Sequence, residues 1–470
     1  MMQKAGQESR SRTILLIIIV LNSFTNPFLG AAVNIALPQI GHEFGMNAIS
    51  LSWVAMAFLL SSAIFLVPFG KLADISGRKR IFLYGNAVIT ISALLCVLSA
   101  SGSMLIGFRA LQGIGSAMTF GTGIAIITSA FPANERGKAI GISVTAVYLG
   151  LSVAPFLGGL LTQAYGWRSL FVVTIPPGLL VIVLTWLAIK EEWAEAQNEQ
   201  FDYRGSVVYM LALLALMYGF SQLPEPVGIV LTATGVAGVL FFIFLELRTV
   251  FPVLNIRLFA ENRVFAFSNL AAMINYAATF AVTFLLSLYL QYIKGLGPRE
   301  AGMILVTQPV LMTLFAFISG RLADRFDARL LSSRGMAVVV AGLLMLSFLA
   351  DDSGVGYIVA SQAVLGAGFG LFSPSNTTAV MSSVEKRYLG VASATVGTMR
   401  LTGQMMSMGI ATMIIHIFIG DGAVTPANHL LFMRSVTVAF VLFSGLCILG
   451  VFASLARVTG GPGCRWVRRR

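Results

Sequence analysis

The chain has 470 residues and a formal charge of +12, yet only 11% of its residues are charged and 57% are hydrophobic, with a mean hydropathy of +0.87. A soluble globular chain carries about a quarter charged residues to wet its surface, so a soluble fold is excluded and most of the outer surface faces lipid. The basic residues fall in short gaps between apolar runs rather than along one face, which excludes a nucleic-acid partner.

A membrane-crossing helix needs about twenty mostly apolar residues. The first such run starts near Thr13 and continues past Leu29 without a small-residue cleavage site, so it reads as a retained helix and not as a signal peptide. Runs starting near Ser50, Ile81, Met104, Ala139 and Ser169 follow. A polar break from Glu191 to Arg204 precedes two more, near Gly205 and Val227. After a second break, from Phe251 to Asn262, six runs start near Arg263, Gly302, Gly335, Tyr357, Gly390 and Leu430. Fourteen spans place both termini on one side. Of the 31 Lys and Arg residues, 25 then fall on that side, four on the other, and Arg109 and Arg400 at membrane depth. Cytoplasmic loops carry the excess of Lys and Arg, so both termini are expected in the cytoplasm, in the plasma membrane of a prokaryote.

A fixed-offset repeat divides the chain. Gly70, Leu72, Ala73 and Asp74 recur as Gly320, Leu322, Ala323 and Asp324, followed by Arg325. Gly113 and Gly115 recur as Gly366 and Gly368, which sets Gln362 opposite Arg109. Two homologous halves of six helices with a two-helix insert account for fourteen, and parallel halves with a binding site between them are a transporter plan. The expected division is an N-terminal bundle over 1–190, a linker and inserted helices over 191–250, and a C-terminal bundle over 251–470. The fold class is all-α membrane protein.

The stretch Gly70 to Arg80 resembles the signature loop of the major facilitator superfamily, with Gly70, Asp74, Gly77, Arg78 and Lys79 in its key places. The resemblance implies a conformational latch, repeated at Gly320, Asp324 and Arg325. Arg109, Gln112, Gly113 and Gly115 resemble the family's fourth-helix motif. An arginine at that depth either faces a cavity or a partner, or snorkels to the interface. Gly150, Ala154, Pro155, Gly158 and Gly159 resemble the antiporter motif of the fifth helix, which in that family marks exporters. With fourteen spans, Arg257-Leu258-Phe259 and Arg400, the chain resembles the fourteen-helix drug:proton antiporters. That implies efflux of amphipathic small molecules by alternating access with protons as the coupling ion.

One position departs from the pattern. Those antiporters place an aspartate nine residues before the proline of an A-L-P triplet; here the triplet is Ala36-Leu37-Pro38 and the position holds Leu29. A carboxylate there would exchange a proton for a cation. Glu43, Glu246, Asp351, Asp352 and Asp421 all fall near predicted span ends, and His42, His416 and Asp74 are the other titratable candidates. The candidates for a cavity or coupling role are therefore Asn34, Arg109, Gln112, Asn275, Gln308, Gln362, Asn376, Arg400 and Gln404. They suit a neutral or anionic substrate, with or without proton coupling, although such amides also glue helices together.

Neither H-E-x-x-H, G-x-S-x-G nor a P-loop occurs, so no enzyme and no ATP-driven pump is expected. The polar stretches are too short for the output domain of a transporter-like sensor. Cys96, Cys447 and Cys464 lack the spacing of a metal or disulfide set, and no cofactor is implied. The expected partners are an amphipathic substrate, protons and membrane lipids, with the tail Arg465 to Arg470 on anionic lipid; the chain is expected to be a monomer.

Overall fold

A computed structural model of the chain describes residues 2–456 apart from 195, 197–198, 224, 255, 324–326, 385–388 and 421–427. Asp324, Arg325, Asp421 and the arginine tail lie outside the described residues. Among the described residues, fourteen helices are long and apolar enough to cross a membrane. They are α1 (Arg12–Phe44), α2 (Ile49–Ser76), α3 (Arg78–Val97), α4 (Gly102–Ala130), α5 (Ala139–Tyr165), α6 (Ser169–Ala188) and α7 (Tyr203–Phe220). The others are α8 (Pro226–Glu246), α9 (Arg263–Ile293), α10 (Pro298–Ser319), α11 (Ala328–Ser347), α12 (Val355–Ser382), α13 (Thr395–Ile419) and α14 (His429–Ala456).

In hydrocarbon every backbone polar group must be satisfied within the chain, and the polar residues between the apolar runs start the helices accordingly. Asn47 accepts the Ser50 N–H, Ser101 that of Met104, Asp202 that of Gly205 and Asn262 that of Phe265. Gly77, at φ +115°, separates α2 from α3 in a conformation that side-chain-bearing residues avoid. The end of the molecule at Gly77 is the loop end here, and the opposite one the far end.

The packing repeats itself. α4 lies against α2 and α3, α1 against α5 and α6, and α3 against α6. Eight helices later, α12 lies against α10 and α11, α9 against α13 and α14, and α11 against α14. The close approaches repeat as well. A Cβ on Gly113 would overlap the Phe58 carbonyl, as one on Gly366 would that of Gln308. A Cβ on Gly115 would meet the Gly85 carbonyl, as one on Gly368 would that of Gly335. The recurring glycines therefore mark equivalent points of helix contact in two like groups of six helices.

The remaining pair, α7 and α8, forms an antiparallel hairpin. α7 sits where α2 meets α13. Its Tyr209 hydroxyl donates to the Ala63 carbonyl at 3.2 Å and is also hydrogen-bonded with Thr398, and its Tyr218 ring lies 5.5 Å from Trp53. α8 packs along α7 and leaves most of its surface to lipid.

Candidate functional site

The fifth-helix motif joins the two groups. Gly150 and Gly158 turn towards α1, where side chains would overlap the Phe24 carbonyl and Ala32. Pro155 and Gly159 turn the other way. The Pro155 carbonyl lies against Gly302 and the Pro298 carbonyl against Gly159, with no space for a Cβ at either glycine. Ala154, between these faces, is fully buried. Proline at 155 also removes one helical hydrogen bond, so α5 meets α10 backbone to backbone. Nearby, Ser287 donates to the Asn34 carbonyl at 3.0 Å and Gln291 to the Ile35 carbonyl at 3.1 Å. At mid-depth Ser152 donates to the Pro309 carbonyl at 2.9 Å. The far end is thus closed by packing between the groups. α9 is interrupted on this side: after Phe280 the Ala281 N–H donates to Ser407 Oγ at 2.9 Å, and Tyr289–Ile293 forms a π-helical turn.

The signature loop works within the first group. Arg78 Nε and Nη2 donate to Asp74 Oδ1 at 2.9 and 2.7 Å, while its Nη1 donates to Ser129 Oγ at 2.7 Å, fastening α2 and α3 to the end of α4. The segment after α6 lies over this loop. Glu192 accepts the Lys79 N–H at 2.8 Å and occupies the space where a side chain at Gly77 would go. The Arg78 N–H donates to the Trp193 carbonyl, the Ala196 N–H to that of Asp74, and Lys71 pairs with Glu199. This cover of the loop has no signal in the sequence, because the segment is polar and without periodicity. Gly70 lies in the last turns of α2, and its counterpart Gly320 lies in the last turn of the helical run that continues α10 to Ala323.

The two arginines at membrane depth are placed differently. Arg109 is enclosed in the first group at 1% exposure: Nε donates to the Val54 carbonyl at 3.0 Å, Nη1 to Gln112 Oε1 at 2.5 Å, and the guanidinium lies 4.5 Å from the Phe58 ring. Arg400 is half-buried where α4, α9 and α13 converge, 5.3 Å from the Tyr276 ring and 5.8 Å from that of Phe120. No carboxylate among the described residues pairs with it. Tyr276 meets Phe369 edge-on at 5.2 Å, and Ser373 of α12 lies beside Tyr148 of α5 and 3.5 Å from the Tyr276 hydroxyl. Four aromatic rings from both groups, a hydroxyl and one cation uncompensated among the described residues thus meet at mid-depth. The sequence singled out Arg400; Phe120, Tyr148 and Tyr276 carried no signal that separates them from other aromatic residues in spans.

The amides are scattered. Asn275 and Gln362 are fully buried with no protein partner for either side-chain atom, and Asn34 Oδ1 also lacks one. Asn376 donates to the Ser268 carbonyl at 3.1 Å, inside the second group. Gln404 is buried, and Gln308 is half-buried with its carbonyl against Gly366. Leu29 is buried at 4% exposure. Glu43, near the far end of α1, accepts from Trp167 Nε1 and Arg168 Nη1, both at 2.7 Å, an arrangement that ties the end of α1 to the start of α6. Among the described residues no group of His, Cys, Asp and Glu could hold a metal.

The family model described as Major Facilitator Superfamily matches residues 19–259 and 269–463. The riboflavin transporter RibZ of Clostridioides difficile is 30% identical over 394 residues, 83% of this chain and 85% of its own. The multidrug resistance protein Stp of Mycobacterium tuberculosis is 30% identical over 86% of this chain and 75% of its own. The methylenomycin A resistance protein of Bacillus subtilis is 28% identical over 87% and 90%. Among solved structures, a bacterial homologue of the human lysosomal transporter Spinster, in an inward-facing and occupied conformation, superposes with a TM-score of 0.69 at 16% identity, covering 96% of both chains.

Proposed function

The chain belongs to the Major Facilitator Superfamily, and from that premise we propose that it exports neutral or anionic amphipathic molecules with a planar aromatic part, by alternating access and in exchange for protons. It is a multi-pass membrane transport protein and not an enzyme. The observation that carries the substrate class is Arg400. A guanidinium beside aromatic faces, without a carboxylate, attracts an acceptor or an anion and repels a cation. Phe120 and Tyr276 add faces on which a planar molecule stacks. The relatives fit this range, since one is named for riboflavin and two for drug or antibiotic resistance.

The far-end closure supports a state open towards the loop end. The charge bias of the loops supports placing that end in the cytoplasm, so substrate enters beside Arg400 from the cytoplasm. Opening the far end requires α5 and α10 to part at Gly159 and Gly302, while Asp74, Arg78 and Lys79 hold the loop end of the first group as a latch.

A second reading, export without proton coupling, is favoured by Leu29, because the first helix lacks a carboxylate to carry the proton. Flux into proteoliposomes under an imposed pH gradient separates the two. Accumulation that collapses with a protonophore supports antiport; flux that only follows the substrate's own gradient supports the uncoupled reading. Flux confined to dicationic dyes would overturn the substrate class in either case.

A further inference from the structure

Glu246 is the one acidic side chain among the described residues that is buried, at 4% exposure. It ends α8, and its two oxygens are used differently. Oε2 accepts the Leu254 N–H at 3.0 Å, from the connector that leads towards α9. Oε1 has no donor. It faces Asp202, the cap of α7, whose Oδ1 accepts the Gly205 N–H at 2.9 Å and whose Oδ2 also lacks a donor. Both free oxygens lie over Gly205, where any side chain would overlap them.

Among the described residues no cation offsets this pair. Arg204 is exposed; Arg248 is exposed and lies over the Phe244 ring at 4.1 Å; Arg257 is exposed and donates to the Leu247 carbonyl at 3.3 Å. On the neighbouring helices, Lys71 of α2 is paired with Glu199, and the Tyr209 hydroxyl of α7 donates to Ala63. The groups that act on Glu246 are Asp202 and the Leu254 and Val253 amides. Two ionised carboxylates do not hold bare oxygens against each other out of water. A hard metal ion would take about six oxygens, and here only two are free. A proton needs two.

We propose that Asp202 and Glu246 form a proton-binding site, one proton shared between Oδ2 and Oε1 at the loop end of the α7–α8 hairpin. The proton exchanges with loop-end water through half-buried Asp202. While it is bound, the pair ties the start of α7 to the end of α8 and, through Glu246 Oε2, to the connector into the second group. When it leaves, two negative charges stand side by side and the connector loosens. This site provides an acidic group in a chain whose first helix has Leu29, and it holds whichever substrate the transporter carries.

The test uses the full-length protein in nanodiscs, with a pH titration followed by infrared difference spectroscopy and thermal unfolding. Ordinary carboxyl groups are ionised at about pH 7; the shared proton gives a carboxyl carbonyl band that persists there and is lost in Glu246→Gln and in Asp202→Asn. The folded chain then binds a proton that the unfolded chain releases, so stability falls as pH rises. The wild-type melting temperature drops by several degrees from about pH 6 to about pH 9, while that of Glu246→Gln changes little. An amide keeps a hydrogen bond to the remaining carboxylate, and if one variant fails to fold the other gives the same reading. Absence of a neutral-pH band in the wild type, or a band that survives the substitutions, overturns the proposal.

Discussion

Arg109 and Arg400 present the same side chain inside membrane-spanning helices in two different settings. Arg109 is used up: its guanidinium is bonded to Val54 and Gln112 and covered by Phe58, and nothing else can reach it. Arg400 is held by rings alone, at the junction of the two groups of helices. A charge costs about 3 kcal/mol to place at membrane depth on insertion scales. The first arginine recovers that cost by hydrogen bonding inside its own bundle, and on the proposed reading the second leaves part of it to be recovered by a ligand. The difference is one of partners and not of residue type, and on the proposed reading it separates a structural cation from one poised to bind.

Substitutions should widen this contrast. The largest effect is expected from Arg109→Ala, which leaves Gln112 unpartnered and empties a large buried volume. A loss of about 3 kcal/mol is expected, read as a lower melting temperature and yield, with substrate preference unchanged in the molecules that fold. Arg400→Gln should do the reverse, lowering flux of anionic amphipaths about tenfold, the value of roughly 1.4 kcal/mol of lost charge-assisted binding, while the melting temperature stays within about a degree or two. Gly159→Val strikes the closed far end. Its side chain cannot fit against Pro298, so labelling of a cysteine placed at the far end of α5 should rise several-fold while flux falls. The smallest effect is expected from Leu29→Asp, which restores the carboxylate of the antiporter pattern: detectable flux of a dicationic dye, with anion flux reduced.

The spans were legible because lipid demands long apolar runs and the polar breaks stand out, so helices such as α1, α5 and α6 begin or continue where the hydropathy pattern has them. The repeat was legible because close helix contacts require glycine, and Gly113, Gly115, Gly366 and Gly368 meet equivalent carbonyls. Orientation about a helix axis was not. Nothing in the order of residues in α4 shows that Arg109 turns towards α2 while Phe120 turns towards α13. The Asp202–Glu246 pair was hidden for another reason: both residues read as ordinary helix-end charges, and only the hairpin brings their free oxygens together over Gly205. The docking of Glu192 and Trp193 on the signature loop was equally hidden, because it depends on a non-local fit of an irregular segment.

The central claim is that the uncompensated charge of Arg400 selects the substrate. The most direct measurement is initial flux of an anionic, a neutral and a dicationic planar amphipath in proteoliposomes, for the wild type and Arg400→Gln at equal folded protein. The account predicts that the wild type carries the anionic and neutral compounds, and that the substitution lowers anion flux about tenfold with little change for the neutral one. Wild-type flux of the dication above the other two, or anion flux unchanged in Arg400→Gln, would contradict it.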